Sequence, residues 1–518
     1  MNRTLVHDLL ERVAQGRPEK PFLICEGASV SYGQIEAKAN QVAHLLLGYG
    51  LARGTRVGLL AQNGRFYVAC YYGILKAGGI VVPLNTAEGG QVLGSLLTRC
   101  EAEMLLASTR FGKLAEDAAL ACPRPPLVAV ETNEGERELP AGLHRTLLDE
   151  DCEHAPTDPP GLDLIDTGPA SIVYTSGSVG GPKGVTLSHR NILSNTRSIV
   201  QYLGLGAEDR VLCILPFYYV YGKSLLNTHA AVGGTVVIEN RFAYPQLALD
   251  TMEDEACTGL SGVPSTFAIL LSRSNFMERR LKDLRYVTQA GAPMSPEATR
   301  RLMKALPDKK IFVMYGATEA SARLSYLSPS ELPRKIGSIG RAIPGVELRV
   351  LRPDGTEADV GQEGEIVARG PNVMLGYWGD EEGTAEVLDA AGYHTGDMAR
   401  RDEDGFLFIT GRIRDFIKAG AHRISAMEIE AVILESPEVH EVAAVGVPDE
   451  ILGERIRVYL VPRDHESFDQ ARFTKVIRDM LPAHKMPTEI ILRSDLPKNE
   501  SGKIMKQVLR QESLQENT

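Results

Sequence analysis

Residues 171–191 read SIVYTSGSVGGPKGVTLSHRN. A β-favouring run, Ile172–Tyr174, leads into Thr175-Ser176-Gly177-Ser178-Val179-Gly180-Gly181-Pro182-Lys183-Gly184. Small residues let backbone N–H groups close on an anion, hydroxyls add donors, and a lysine adds a point charge. No Asp or Glu interrupts the run. The loop therefore reads as a polyphosphate cradle at the end of a strand rather than a flexible surface turn. It is not a GxxxxGK[ST] loop, because Pro182 and Gly184 stand where that pattern needs Gly and Ser or Thr.

On either side of this loop, short β-rich runs alternate with helix-length patterns from residue 1 to about 330. Arg56–Leu60, Gly79–Leu84, Val211–Leu215, Thr235–Glu239, Arg285–Thr288 and Ile311–Met314 read as strands. Tyr32–Leu47 and Pro296–Ala305 read as helices between them. That alternation implies parallel βαβ units in a layered α/β fold. From about 336 to 411 the texture changes to short strands with turns at Asp354-Gly355 and Asp404-Gly405, a small antiparallel β subdomain. The last hundred residues read as a separate, small and mobile α+β domain: helix Ala426–Glu435, strands Glu441–Val447 and Arg455–Pro462, helix Phe473–Met480, strand Glu489–Arg493. The expected division is a 1–411 N-terminal domain and a 412–518 C-terminal domain, joined by a short charged hinge.

Composition sets limits. The chain has 518 residues, 43% hydrophobic and 24% charged, enough for several units of ordinary globular character. A net charge of −11 lacks the basic footprint of a nucleic-acid binder. Seven cysteines, at 25, 70, 100, 122, 152, 213 and 257, include no CxxC pair. They suggest neither a disulfide scaffold nor a zinc site. The N-terminus lacks an apolar signal region and no stretch reaches 18 consecutive apolar residues. The expectation is a cytoplasmic protein with no transmembrane segment, monomeric or homodimeric.

YTSGSVGGPKGV resembles the signature loop of the AMP-forming acyl-CoA synthetases, the adenylate-forming superfamily. Further motifs follow in the order of that family: LKAGGIVVPLN (75–85), MYGATEA (314–320), GSIGRAIPG (337–345), GEIVARGPNVMLGYW (364–378), YHTGDMARRDEDGFLFITGRIRDFIK (393–418) and LPKNESGKIMK (496–506). The resemblance implies a two-step reaction. A carboxylic acid attacks ATP to give an acyl-adenylate and pyrophosphate; a thiol then takes the acyl group and AMP leaves. ATP, Mg²⁺ and CoA are the implied cofactors, with the phosphopantetheine arm of an acyl carrier protein as the alternative acceptor.

By the same resemblance Thr175, Ser176, Gly177, Ser178, Gly180 and Lys183 hold the phosphates. Gly291, Ala292, Pro293, Tyr315, Gly316 and Thr318 belong to the nucleotide site, with Tyr315 on adenine and Thr318 at the α-phosphate. Glu319 is the Mg²⁺ ligand, Asp397 takes the ribose hydroxyls and Arg412 assists there. Lys503 is the catalytic lysine of adenylation, beside Thr318 and Glu319, and Arg414 is the hinge. Tyr219, Val220, Tyr221, Lys223, Val263, Ala290, Ala317 and Arg323 line the acyl pocket. No Asp occurs between Arg210 and Asp250, which argues against an ordinary α-amino acid as substrate. Lys223 and Arg323 either meet a second acidic or polar group on the substrate or, as the expected case, form structural ion pairs, since an unpaired buried cation is costly. Gly420 and Ala421 stand at the thiol tunnel. Ala421 replaces the usual Gly there, so thioester formation is the step this departure touches.

Overall fold

Six neighbouring strands of the largest sheet run parallel: Lys310–Tyr315, Tyr286–Gln289, Gly259–Gly262, Arg210–Cys213, Thr235–Ile238 and Pro21–Cys25, in that spatial order. The computed structural model that shows this describes residues 4–132, 143–175, 181–419, 422–449, 453–498 and 504–515. A second sheet has a parallel row of Pro169–Thr175, Ile80–Pro83, Arg56–Leu60, Met104–Ala107, Leu127–Val130 and Arg145–Leu147. The expected βαβ pattern holds in both rows, but the edges depart from it. Ala28–Ser31, Ser325–Leu327 and Arg341–Ala342 add antiparallel strands to the first sheet. Lys183–Ser188 folds back antiparallel on Pro169–Thr175. A hairpin needs no crossover helix, and only residues 176–182 separate its two strands in the sequence.

The sheets are layered because each strand alternates its faces. Val57 and Leu59 point into a core shared with Val173, Val211 and Val236, while Leu60, Val82 and Leu105 point into a separate core on the other side. The shared core also holds apolar residues of helices Tyr32–Gly48, Arg65–Lys76, His189–Leu203 and Val220–Val232. Each fully buried Val, Leu or Phe there contributes roughly 1.5–3 kcal/mol. Local signals set the helix limits. Ser188 and Asn191 exchange side-chain and backbone hydrogen bonds at the start of His189–Leu203, and Gly204, at φ +61°, ends it.

A four-stranded antiparallel sheet follows: Glu347–Leu351, Glu363–Arg369, Tyr393–Arg401 and Leu407–Arg412. Gly355 and Gly405, at φ +79° and +81°, make the turns expected of the Asp-Gly pairs. Beyond it lies a five-stranded sheet of Phe416–Ala419, His422–Ser425, Val439–Asp449, Gly453–Pro462 and Glu489–Leu492. Helices Ala426–Leu434 and Gln470–Met480 pack on it through Ile429, Ile433, Phe473 and Ile477. The Ser425 hydroxyl donates to the Thr410 carbonyl at 2.5 Å, tying this sheet to the preceding one. Arg414 falls in the short turn Ile413–Asp415 between them. Among the described residues no helix is long and apolar enough to cross a membrane.

Candidate active site

Four adjacent parallel strands end side by side at Cys213, Gly262, Gln289 and Tyr315. Just beyond these ends the chain places Tyr219, Val220 and Tyr221, then Val263, then Ala290 to Pro293, then Gly316 to Glu319. Residues scattered over a hundred positions thus share the carboxyl edge of one sheet, where open α/β sheets bind ligands. Two glycines permit the turns. Gly291 has φ +92°, and a Cβ on Gly316 would collide with the Ala322 carbonyl oxygen. Gln289 fixes the first turn by donating from Nε2 to the Ala292 carbonyl at 2.7 Å. Tyr221 spans toward the strand ends, its hydroxyl 2.9 Å from Thr288 Oγ1.

Asp397 is 4% exposed. Arg412 pairs with it as an ion pair, Nε 2.6 Å from Oδ1, and donates from Nη2 to Oδ2 at 3.4 Å; the Tyr315 hydroxyl donates to Oδ2 at 2.6 Å. Neighbouring strands hold the pair, since Asp397 and Arg412 are register partners. Burial and then the Asp397 charge push the Tyr315 phenol well above its usual range, so it stays a donor. Burial opposes the Arg412 charge, but Asp397 outweighs it and raises the guanidinium further. The turn before Asp397 has its own support. Glu365 accepts from Gly396 N–H at 2.9 Å through one oxygen and meets His394 Nδ1 at 2.8 Å through the other.

Lys183 opens the strand that pairs with Gly376–Tyr377. Its Nζ lies 4.6 Å over the Tyr377 ring and 4.0 Å from Asp380. The Tyr377 hydroxyl donates to Glu319 Oε1 at 3.0 Å. Tyr377 therefore joins the phosphate-loop lysine of one sheet to the acidic turn of the other. Sequence reasoning did not single it out, although GYW (376–378) closes a quoted motif. The turn bearing Thr318 and Glu319 is pinned from beneath by Asn195 and Asn372, both buried, whose amides donate to the Arg323 carbonyl at 2.9 and 3.0 Å. Ser321 and Ala322 follow at φ +59° and +120°, conformations that L residues adopt at a cost.

The expected ion pairs of Lys223 and Arg323 are not found among the described residues. Among the described residues Lys223 Nζ has no hydrogen-bond partner, and its nearest aromatic contact is the Tyr71 ring at 5.3 Å. Arg323 lies 4.0 Å over the Tyr221 ring and donates to the Ala322 carbonyl and to Met314 Sδ, with no carboxylate in reach among the described residues. Its guanidinium is satisfied by a π face and a carbonyl, which an amine on a flexible stem does not replicate.

Ser176, Gly177, Ser178, Gly180, Gly420, Ala421 and Lys503 lie outside the described residues. Thr175 is half-buried at the strand end that leads into the loop. Among the described residues no three His, Cys, Asp or Glu side chains cluster as a metal cage. One carboxylate, Glu319, still fits a hard cation that keeps water and phosphate oxygens as its other ligands.

A double-sheet body, a small antiparallel sheet and a terminal α+β unit, with an aspartate held by arginine and tyrosine at the junction, form the architecture of an adenylate-forming enzyme. The AMP-binding enzyme family matches residues 10–378, and the AMP-binding enzyme C-terminal domain matches residues 428–503. The chain belongs to this family, the AMP-forming acyl-CoA synthetase superfamily. It is 31% identical to the indoleacetate–CoA ligase of Aromatoleum aromaticum, over 97% of each chain. Its structure is similar to the anthranilate CoA ligase AuaEII in complex with anthranoyl-AMP, at a TM-score of 0.89 and 25% identity, over 100% of this chain and 98% of that one. It is also similar to the o-succinylbenzoate CoA synthetase of Bacillus subtilis in complex with ATP and magnesium ion, at a TM-score of 0.84 and 26% identity, over 98% and 99%.

Proposed function

We propose that this chain is an ATP-dependent carboxylic acid–CoA ligase. The acid's carboxylate attacks the α-phosphorus of ATP, a P–O bond to pyrophosphate breaks, and an acyl-adenylate forms. The CoA thiol then attacks the acyl carbon, loses its proton, and AMP leaves. The observation that supports this reading best is the convergence at one sheet edge of the Asp397–Arg412–Tyr315 group with the Lys183–Tyr377–Glu319 group. The first group suits a ribose and the second a polyphosphate.

Asp397, preorganised by two donors, positions the ribose hydroxyls; Tyr315 and Gly291 to Pro293 flank the base. Thr175 and Lys183, with Ser176, Gly177, Ser178 and Gly180, hold the phosphates. Thr318 reaches the α-phosphate, and Glu319 would hold Mg²⁺, which supplies charge neutralisation for the leaving pyrophosphate. Lys503 bridges carboxylate and phosphate during the first step. The unit from about 412 onward then turns about Arg414 and brings Gly420 and Ala421 to the thiol tunnel for the second. Tyr219, Val220, Tyr221, Val263, Ala290 and Ala317 enclose the acyl group.

The test is incubation with ATP, Mg²⁺, CoA and a panel of carboxylic acids, read by mass spectrometry. Acyl-CoA and AMP formed together support the reading. Acyl-AMP that accumulates with CoA present, and is consumed by a holo carrier protein, moves the acceptor to that protein's phosphopantetheine arm. No acid-dependent pyrophosphate release, with AMP still bound, refutes catalysis.

A further inference from the structure

Lys223 stands four residues after Tyr219, on the same face of helix Val220–Val232 and about 6 Å further along its axis. Tyr219 is half-buried at the mouth of the helix, whereas Lys223 is 4% exposed. Its ammonium is buried and has no hydrogen-bond acceptor among the described residues. Tyr71 offers only a ring face, at 5.3 Å. Three donors on one buried nitrogen with no acceptor form a costly arrangement. Burial alone pulls the amine down to about 7. The tyrosine hydroxyls of this core bond to other groups, Tyr67 to the Phe217 carbonyl, Tyr72 to Asn227 and Tyr221 to Thr288, and none of them accepts from Lys223. The described residues thus hold a donor for which they provide no acceptor.

We infer that Lys223 is the specificity-determining residue of the acyl pocket and that it receives an anionic oxygen at the far end of the substrate, so that the acid activated here carries a second carboxylate remote from the reacting one. This rests on the proposed ligase reading and names the substrate class within it. A bound carboxylate supplies the missing acceptor and the missing countercharge together, which turns a destabilising group into a selective one. The acid lacking that oxygen leaves the buried amine unsatisfied, and sites built this way reject such analogues strongly.

The experiment compares matched acids with and without a distal carboxylate: straight-chain monoacids against α,ω-diacids from four to sixteen carbons, and benzoate against its carboxylated and carboxymethylated derivatives. Pyrophosphate release gives kcat/KM for each, in the wild type and in Lys223→Met, which keeps the length and loses the donor. The wild type should favour a diacid over its monoacid by at least 100-fold. In Lys223→Met that ratio should fall to about one or invert, through KM more than kcat. Equal ratios in the two proteins refute the assignment and make Lys223 merely structural. A wild type that turns over only monoacids, or neither set, refutes the substrate class. In the last case AMP binding by calorimetry separates the two readings, since retained AMP binding leaves the nucleotide site standing while the class inference falls.

Discussion

Replacing Tyr377 by Phe isolates one bond of the proposed site. The ring stays beneath Lys183 at 4.6 Å, and only the hydroxyl that donates to Glu319 Oε1 at 3.0 Å is lost. A hydrogen bond to a charged group contributes about 1.5–3 kcal/mol. Glu319 is half-buried, so water replaces part of it and the lower end applies. About 1.4 kcal/mol corresponds to a tenfold change, so kcat/KM for ATP in the adenylation step should fall about tenfold. Because the freed carboxylate is the proposed Mg²⁺ ligand, the half-saturating Mg²⁺ concentration should rise. Tyr377→Leu also removes the ring under Lys183, whose side chain is 24% exposed. That cation–π contact is worth about 1 kcal/mol at such exposure, which makes Leu roughly fivefold worse than Phe. Pyrophosphate release at graded Mg²⁺ and ATP reads both effects. If Phe matches the wild type at every Mg²⁺ concentration, Tyr377 does not orient Glu319 and the link between the two sheets is not functional.

Asp397→Asn leaves Arg412 facing a neutral group. Breaking a buried pair costs about 3–5 kcal/mol, and partial exposure of Arg412 reduces this to about 2, so kcat/KM for ATP should fall about 30-fold while pyrophosphate binding holds. Gly316→Ala forces a methyl into the Ala322 carbonyl; a melting point lower by several degrees together with lost ATP binding is expected, and a wild-type profile would show that the turn yields freely. Lys503→Ala should lower adenylation by roughly 10²–10³, as for loss of one transition-state donor, and spare thiolysis of supplied acyl-adenylate; an unchanged ATP–pyrophosphate exchange rate would end its catalytic assignment. Lys223 is held near 7 by burial, against an ordinary 10.5, so between these values the unfolded chain binds a proton that the folded one does not. Its destabilisation is therefore complete below pH 7 and fades as pH rises toward 10.5, and Lys223→Met should raise the melting temperature more at pH 6 than at pH 9.5.

The alternation of strands and helices was readable because βαβ units leave a periodic imprint; Arg56–Leu60 and Pro296–Ala305 coincide with their observed limits. The edges were less readable. Gly376–Tyr377 is two residues long and Arg341–Ala342 likewise, too short for any periodicity. Tyr393–Arg401 mixes glycine, charge and hydroxyls because it carries Asp397 and the Glu365-supported turn, so it announces a motif before it announces a strand. Site residues were legible as motifs, one segment at a time. What no segment carries is the relation between segments: Tyr377 under Lys183, or Asn372 and Asn195 beneath the Glu319 turn, requires strand order and register. The one misjudged pair, Lys223 and Arg323, failed for a related reason. The rule that buried cations are paired presumes that the partner lies in the same chain.

That presumption separates the two kinds of charge in this cleft. Asp397 is expensive to bury, and the fold answers with a guanidinium and a phenol, so it stands ready with ATP absent. A group answered within the chain binds by geometry, and its ligand gains little from its charge. Among the described residues Lys223 is answered by nothing but a ring face. A group left in that state raises the free energy of the empty enzyme, and whatever supplies the acceptor recovers that energy on binding. Selectivity then comes from differential affinity between substrates, and the group most damaging to the empty fold becomes the most discriminating. The nucleotide half of the proposed site is accordingly prearranged, while the discrimination proposed for the acyl half rests on one amine that has no acceptor among the described residues.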